Sequence, residues 1–204
     1  MLHTVLSIVV DDLNTHLSDK YNPTNREIVA LRNAAKQDFD QPVAVSDAQV
    51  YAHFLSLEKD HTYRNDSSVT EINSTISEYY KAQFNVYLLF VFNSEQYAQS
   101  LMFLSDVVTY YQGKRYLERD ENGEGNVTIS DTTIASDPAF KLEMIYHNVS
   151  LEDSYNMWSN LGNKQQPYVI FKLRVVEFDP GPHTGRKASK ISDVSQNILD
   201  INSN

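Results

Sequence analysis

The residues best suited to chemistry in this 204-residue chain are six histidines, adjacent aspartates near the start, and one acidic loop. The histidines (His3, His16, His53, His61, His147 and His183) are scattered, and no two stand four residues apart beside a glutamate, as zinc ligation on a helix requires. Asp11 and Asp12 are neighbours on a helical pattern, so their side chains diverge and cannot share a proton as an acid/base pair. The stretch QGKR, Gln112 to Arg115, has neither the upstream glycines nor the following hydroxyl of a phosphate loop. There is no Gly-X-Ser-X-Gly, and the chain has no cysteine, which removes thiolate nucleophiles, disulfides and zinc-thiolate sites together. Catalysis therefore has no constellation behind it, and no cofactor is expected.

One loop fits a metal pattern in part. DENGEGNVTISD puts Asp120, Asn122, Glu124, Gly125 and Asp131 at positions 1, 3, 5, 6 and 12 of the calcium loop of an EF-hand. Position 12 is an aspartate, too short for the usual bidentate reach, and the residues after it read as strand rather than helix. An acidic hairpin turn is the plainer reading. A small-ligand or calcium-binding module using residues 120–131 is the alternative.

Composition narrows the partners. The formal net charge is −10, which repels phosphate backbones, and the basic run HTGRKASK, His183 to Lys190, reads as a solvated tail, so no nucleic acid is expected. Hydrophobic residues make up 41% of the chain, enough for a core. The longest wholly apolar run, Val86 to Phe92, is far below the roughly 20 residues a membrane helix needs. The opening MLHTVLSIVVDDLNTHL lacks a basic leader and is not expected to be a secretory signal; assembly in the cytoplasm and no direct membrane insertion follow as expectations.

Which elements would carry these residues? Leu2, Val5, Leu6, Val9, Leu13 and Leu17 recur at three- and four-residue steps, predicting a first helix to about Asp19. EIVALRN and VYAHFLSLEK predict strands, and RNDSSVTEINSTIS a long loop or hairpin excursion. YKAQFNVYLLFVFN predicts the strongest strand, apolar on both faces in its second half as a central strand would be. Ser94 is read as the cap of a second helix with Tyr97, Leu101, Leu104, Val108 and Tyr111 on its buried side and Gly113 at its end. After a glycine-bearing loop, NVTIS and AFKLEMIYHNV read as strands. Ser150 then caps a third helix with Leu151, Trp158 and Leu161 near one face, Gly162 stops it, and Pro167 opens a last strand. The order predicts a single α+β domain over 1–178, a mixed or mostly antiparallel sheet flanked by about three helices, and a polar tail or arm over 179–204.

Four stretches taken in order resemble one family. They are MLHTVLSIVVDDLNTHL, VYAHFLSLEK, FNVYLLFVFNSEQYAQSLMFLSDVVTYYQGK and FKLEMIYHNVSLEDSYNMWSNLGNKQQPYVIFKLRVVEF. The most specific parts are the strand-to-helix step from Val86 to Ser105 and the block from Leu151 to Phe178, whose Trp158, Gly162 and Pro167 serve as the structural signature. Over roughly Met1 to Phe178 the chain resembles the tail terminator (cap) proteins of contractile injection systems, which are phage-tail-like particles; it departs in having Met157 where leucine is common. The resemblance implies a non-enzymatic homo-oligomer, a hexameric ring at the end of the tail far from the baseplate. That ring would stop growth of the inner tube and anchor the last layer of sheath. It implies inner-tube and sheath proteins as partners, and a final place in a contractile particle that is extracellular or membrane-associated. Within the tail, Ile191, Val194, Ile198 and Ile201 form an apolar pattern in a polar setting and are the expected oligomer or partner contact.

Overall fold

The computed structural model describes residues 2–21, 27–39, 48–60, 68–72, 75–79, 84–119, 124–127 and 140–178. The first helix, α1 (Leu2–Tyr21), follows the predicted periodicity, and Val5, Leu6, Ile8, Val9, Leu13 and Leu17 are buried. A short strand β1 (Val29–Leu31) and a single 3-10 turn (Ala34–Lys36) precede β2 (Val50–Lys59). The predicted excursion contains a hairpin of its own, β3 (Ser68–Ile72) against β4 (Thr75–Tyr79). Then come β5 (Phe84–Phe92), α2 (Tyr97–Gly113), β6 (Tyr116–Arg119), β7 (Phe140–His147), α3 (Leu151–Leu161) and β8 (Tyr168–Phe178).

Six of the strands form one sheet in the order β1-β2-β5-β8-β7-β6. Only β1 and β2 run parallel; the other pairs are antiparallel, so the sheet is mixed as predicted. The most apolar strands lie in the middle, where water reaches neither face. Val86, Leu88, Phe90 and Phe92 of β5 and Val169, Phe171, Leu173 and Val175 of β8 face α1 and α2, forming the larger core. Leu89, Val91 and Ile170, at the alternate positions, face α3 and the 3-10 turn and form a second core with Trp158, Phe39 and Ala34. The molecule is thus three layers, with helices on both faces of the sheet.

Two ion pairs join the helices of the first layer. Asp12 is buried on α1 and receives Lys114 Nζ at 2.7 Å and the Tyr110 hydroxyl at 2.8 Å from the end of α2. One turn of the adjoining helix away, Asp106 accepts from Lys20 Nζ at 2.7 Å and from the Tyr21 hydroxyl. Burial alone disfavours the Asp106 charge, but Lys20 and Tyr21 outweigh it and hold its carboxyl below the usual carboxylate range.

Several sequence expectations are corrected. Gln96, not Ser94, precedes the first turn of α2, and it makes no side-chain cap; Ser94 Oγ instead donates to Gln99 Oε1 at 2.6 Å. The buried side of α2 is Ser100, Phe103, Val107 and Tyr111, with Leu104 and Val108 at its margin, while Tyr97 and Leu101 are exposed. On α3, Ser154 and Trp158 are buried and Leu161 packs beside them, whereas Leu151 is 90% exposed. A strand also appears where a loop was expected: β6 pairs antiparallel with β7, Tyr116 opposite Glu143. Asn126 and Val127, the start of the expected strand NVTIS, are not in a strand, and residues 128–130 lie outside the described residues.

Candidate partner-binding surfaces

Among the described residues no group of three or more His, Asp or Glu side chains is arranged to hold a cation. One polar cluster joins β7 and β8 to the residues just before β6 and just after β2: buried Glu143 receives Arg115 at 2.5 Å and Arg174 at 3.2 Å, and Arg174 Nε lies 3.3 Å from buried Asp60. Each carboxylate faces a guanidinium, which leaves neither poised as a free base. Asp12 is committed to Lys114 and Tyr110. His16 stacks on Tyr110 at a 4.0 Å centroid distance, and His53 Nδ1 accepts the Ala34 N–H at 3.3 Å. Burial lowers the pKa of both histidines, with Asp106 partly opposing it at His16 and the Arg32 backbone partly opposing it at His53.

The acidic loop is described only at its second half. Asp120, Asn122 and Asp131 lie outside the described residues, and Glu124 is exposed. Gly125 forms an isolated antiparallel bridge with Arg119, and the Asn126 N–H donates to Glu118 O at 3.1 Å. The Asn126 side chain accepts from Glu118 N at 3.0 Å and donates to Tyr116 O at 2.8 Å. These residues lie along the outer edge of β6 as an added strand would. A side chain at Gly125 has no room, since its Cβ would lie 2.1 Å from Glu118 O.

The opposite edge is treated the same way. Asn14 on α1 accepts from Ile28 N at 2.7 Å and from Val29 N at 3.0 Å, taking the Val29 donor that β1 would offer to an incoming strand. At both edges of the sheet an asparagine side chain thus occupies backbone groups, a way to discourage edge-to-edge pairing.

The signature residues meet at one end of the second core. Ser150 Oγ accepts from Asp153 N at 3.0 Å, and Gly162 closes α3 in the left-handed conformation at φ 71°. Trp158 is buried, edge-on to Tyr168 at 5.7 Å and to Phe39 at 6.3 Å. Pro167 supplies its carbonyl to Phe92 N at 2.9 Å, which aligns the start of β8 with the end of β5. The block is scaffold. Apolar surface stays exposed elsewhere, at Tyr97, Leu101 and Met102 on α2 and at Leu151 and Tyr155 on α3. Periodicity could not flag these, because Leu101 to Leu104 offers more than one apolar phase. The tail residues Ile191, Val194, Ile198 and Ile201 lie outside the described residues.

Three layers with a mixed six-stranded sheet and asparagine-blunted edges make up the fold, and the same fold occurs in two solved particle terminators. The cap of the anti-feeding prophage (its tube terminating cap) matches with a TM-score of 0.55 at 15% identity, over 93% of this chain and 60% of that one. The sheath/tube terminator of an extracellular contractile injection system, PVC, in its extended state matches with a TM-score of 0.53 at 13% identity, over 94% of this chain and 64% of that one. The chain belongs to the Pvc16 N-terminal domain family, whose model matches residues 4–189. The resemblance read from the sequence to tail terminators of contractile injection systems therefore holds in family and in fold. This chain spans less than two thirds of the length of either solved cap. No curated protein sequence matches it.

Proposed function

We propose that this protein is a structural, non-catalytic terminator of a contractile injection system: it ends inner-tube growth and holds the last sheath layer, as a hexameric ring with tube and sheath proteins as partners. The observation that carries the reading is a fold shared over 93% of the chain with a tube terminating cap, together with membership of the Pvc16 N-terminal domain family. The physical arrangement supports it. A ring of identical subunits needs head-to-tail contacts that close, and a rigid three-layer module with blunted edges presents fixed faces without polymerising through its strands.

In this reading residues 1–178 are the module and 179–204 an arm, whose Ile191, Val194, Ile198 and Ile201 contact a neighbour. The family model extends past that division to residue 189, so the start of the arm is shared with the family. The particle is assembled in the cytoplasm and the finished cap travels with it. Among the described residues no helix is long and apolar enough to cross a membrane, in keeping with attachment through protein partners.

The test is particle length. Particles made without this chain should carry tubes of uncontrolled length and frayed sheath ends under negative-stain microscopy. An unchanged length distribution with intact ends overturns the reading.

A further inference from the structure

Only part of the second sheet face is covered by α3. Beyond it lies a groove of about 370 Å³ that crosses four strands, lined by Leu55 and Glu58 of β2, Tyr87 of β5, Ile170 of β8, and His147 and Val149 at the end of β7. Its floor is apolar and aromatic. Tyr87 and His147 meet edge-on at 5.0 Å, and Val149, Leu55 and Tyr87 are partly buried margins of the second core. A β-bulge between Phe54 and Ser56 turns Leu55 toward this side and breaks the regular pleat that would otherwise repeat there.

What would fill it can be read from the rest of the chain. Ile191, Val194, Ile198 and Ile201 follow steps of three and four, the spacing of one helix face. The charges match as well. Lys172 is the β8 partner of Tyr87 and so shares its face of the sheet, and Glu58, which lines the groove, accepts from the Tyr87 hydroxyl at 3.1 Å, so charges of both signs stand beside Tyr87. The segment brings Lys190 just before its first apolar residue, and Asp193 and Asp200 along its length. An apolar floor with charges of both signs beside it suits an amphipathic helix carrying both signs.

The ring reading decides whose segment it is, and the strand ends fit it. The arm is rooted after Phe178, at the end of β8 opposite the Ile170 end that lines the groove, about 27 Å away at the usual rise per strand residue. Residues 179–190 span up to roughly 40 Å when extended, enough to reach the groove of the same chain or that of a neighbour, and the ring reading favours the neighbour. A donor at one end of a strand and an acceptor at the other are the two halves of a head-to-tail contact, which closes into a ring when the rotation allows. We infer that the segment from Ile191 to Ile201 docks as a helix in the Leu55–Tyr87–Val149 groove of a second copy of this chain. The inference rests on the ring reading above and assigns its contact.

The absence of native cysteine makes the test direct. The full-length Val149→Cys/Ile198→Cys protein, oxidised at high concentration, should give disulfide-linked multimers on a non-reducing gel; neither single variant should give a ladder. Adding Ile201→Asp should reduce the linked fraction roughly tenfold, because burying one isoleucine is worth about that in an equilibrium constant. An intrachain disulfide, found as a monomer without free thiol, overturns the inference, and so does the absence of any disulfide. If the Val149→Cys single variant is misfolded by circular dichroism, Leu55→Cys replaces it in the same experiment. Particle length reads the terminator role separately, so a normal cap without this cross-link sinks the contact and leaves that role standing.

Discussion

Gly162 ends α3 at φ 71°, and nothing lies within 4 Å of where its Cβ would be. A side chain there meets no neighbour, so the cost of Gly162→Ala is that of the left-handed backbone itself, about 1–2 kcal/mol. Urea denaturation should show that loss, and Gly162→Asn should recover part of it, since asparagine tolerates this conformation. Gly125 is the contrasting case: its φ is unexceptional but its Cβ would strike the backbone of β6, so Gly125→Ala should cost about 1–3 kcal/mol through displacement of the loop. Trp158 is filled in on every side, yet its buried Nε1 has no hydrogen-bond partner among the described residues. Trp158→Ala should therefore cost about 3–5 kcal/mol through lost packing, while Trp158→Phe, which breaks no hydrogen bond, should cost far less. A Trp158→Phe variant as unstable as Trp158→Ala would show that the indole N–H does have a partner.

The elements are joined by contacts that sense pH. His53 on β2 holds the 3-10 turn through its Nδ1 acceptor, and burial keeps its pKa below the ordinary value of about 6.5. The unfolded chain therefore binds a proton there more readily than the folded one. The stabilising contribution is full above about pH 6.5 and is lost as pH falls below it; His16 on α1 acts in the same direction. Melting temperatures taken from pH 8 to pH 5 should fall across this window, and His53→Asn, which keeps an acceptor near Nδ1, should flatten the slope. Asp106, whose carboxyl is held below its ordinary range, adds a second loss only under more acidic conditions, below about pH 4. At the sheet edge, Asn126→Ala removes two hydrogen bonds to β6 and should cost about 1–3 kcal/mol. Faster hydrogen exchange at the Glu118 amide, with a rise in self-association, is the expected signature.

At the scale of the whole molecule, the proposed terminator joins a module over 1–178 to a proposed arm over 179–204. Deleting 179–204 should leave the fold and melting temperature of the module nearly unchanged and should weaken ring formation or sheath attachment. Light scattering and negative-stain images of the truncated protein read both. A ring and particle length identical to those of the full chain would remove the arm from the mechanism.

Much of this architecture is legible in local pattern. The first helix is written in the three- and four-residue steps from Leu2 to Leu17, and β5 declares itself central because Leu89 and Val91 are as apolar as Leu88 and Phe90. The ends of α3 are legible too, because Ser150 and Gly162 act through their own backbone neighbours. The rest depends on what is distant in sequence. Leu101, Met102, Phe103 and Leu104 can each face a core; contact of Phe103 with Tyr21 at 5.2 Å, and of Tyr111 with Phe171 at 5.2 Å, selects the phase that leaves Tyr97 and Leu101 outside. The polar stretch YLER becomes β6 only because β7 offers it hydrogen bonds, and Glu143 is buried only because Arg115, just before β6, and Arg174 on β8 reach it. The groove beside Tyr87 likewise needs four strands in register and an α3 that stops short of them. The sequence by itself determined which segments could be helix or strand, since those preferences reach only a few residues; the tertiary structure decided which of their surfaces remain open to a partner, since exposure is a property of the layers together.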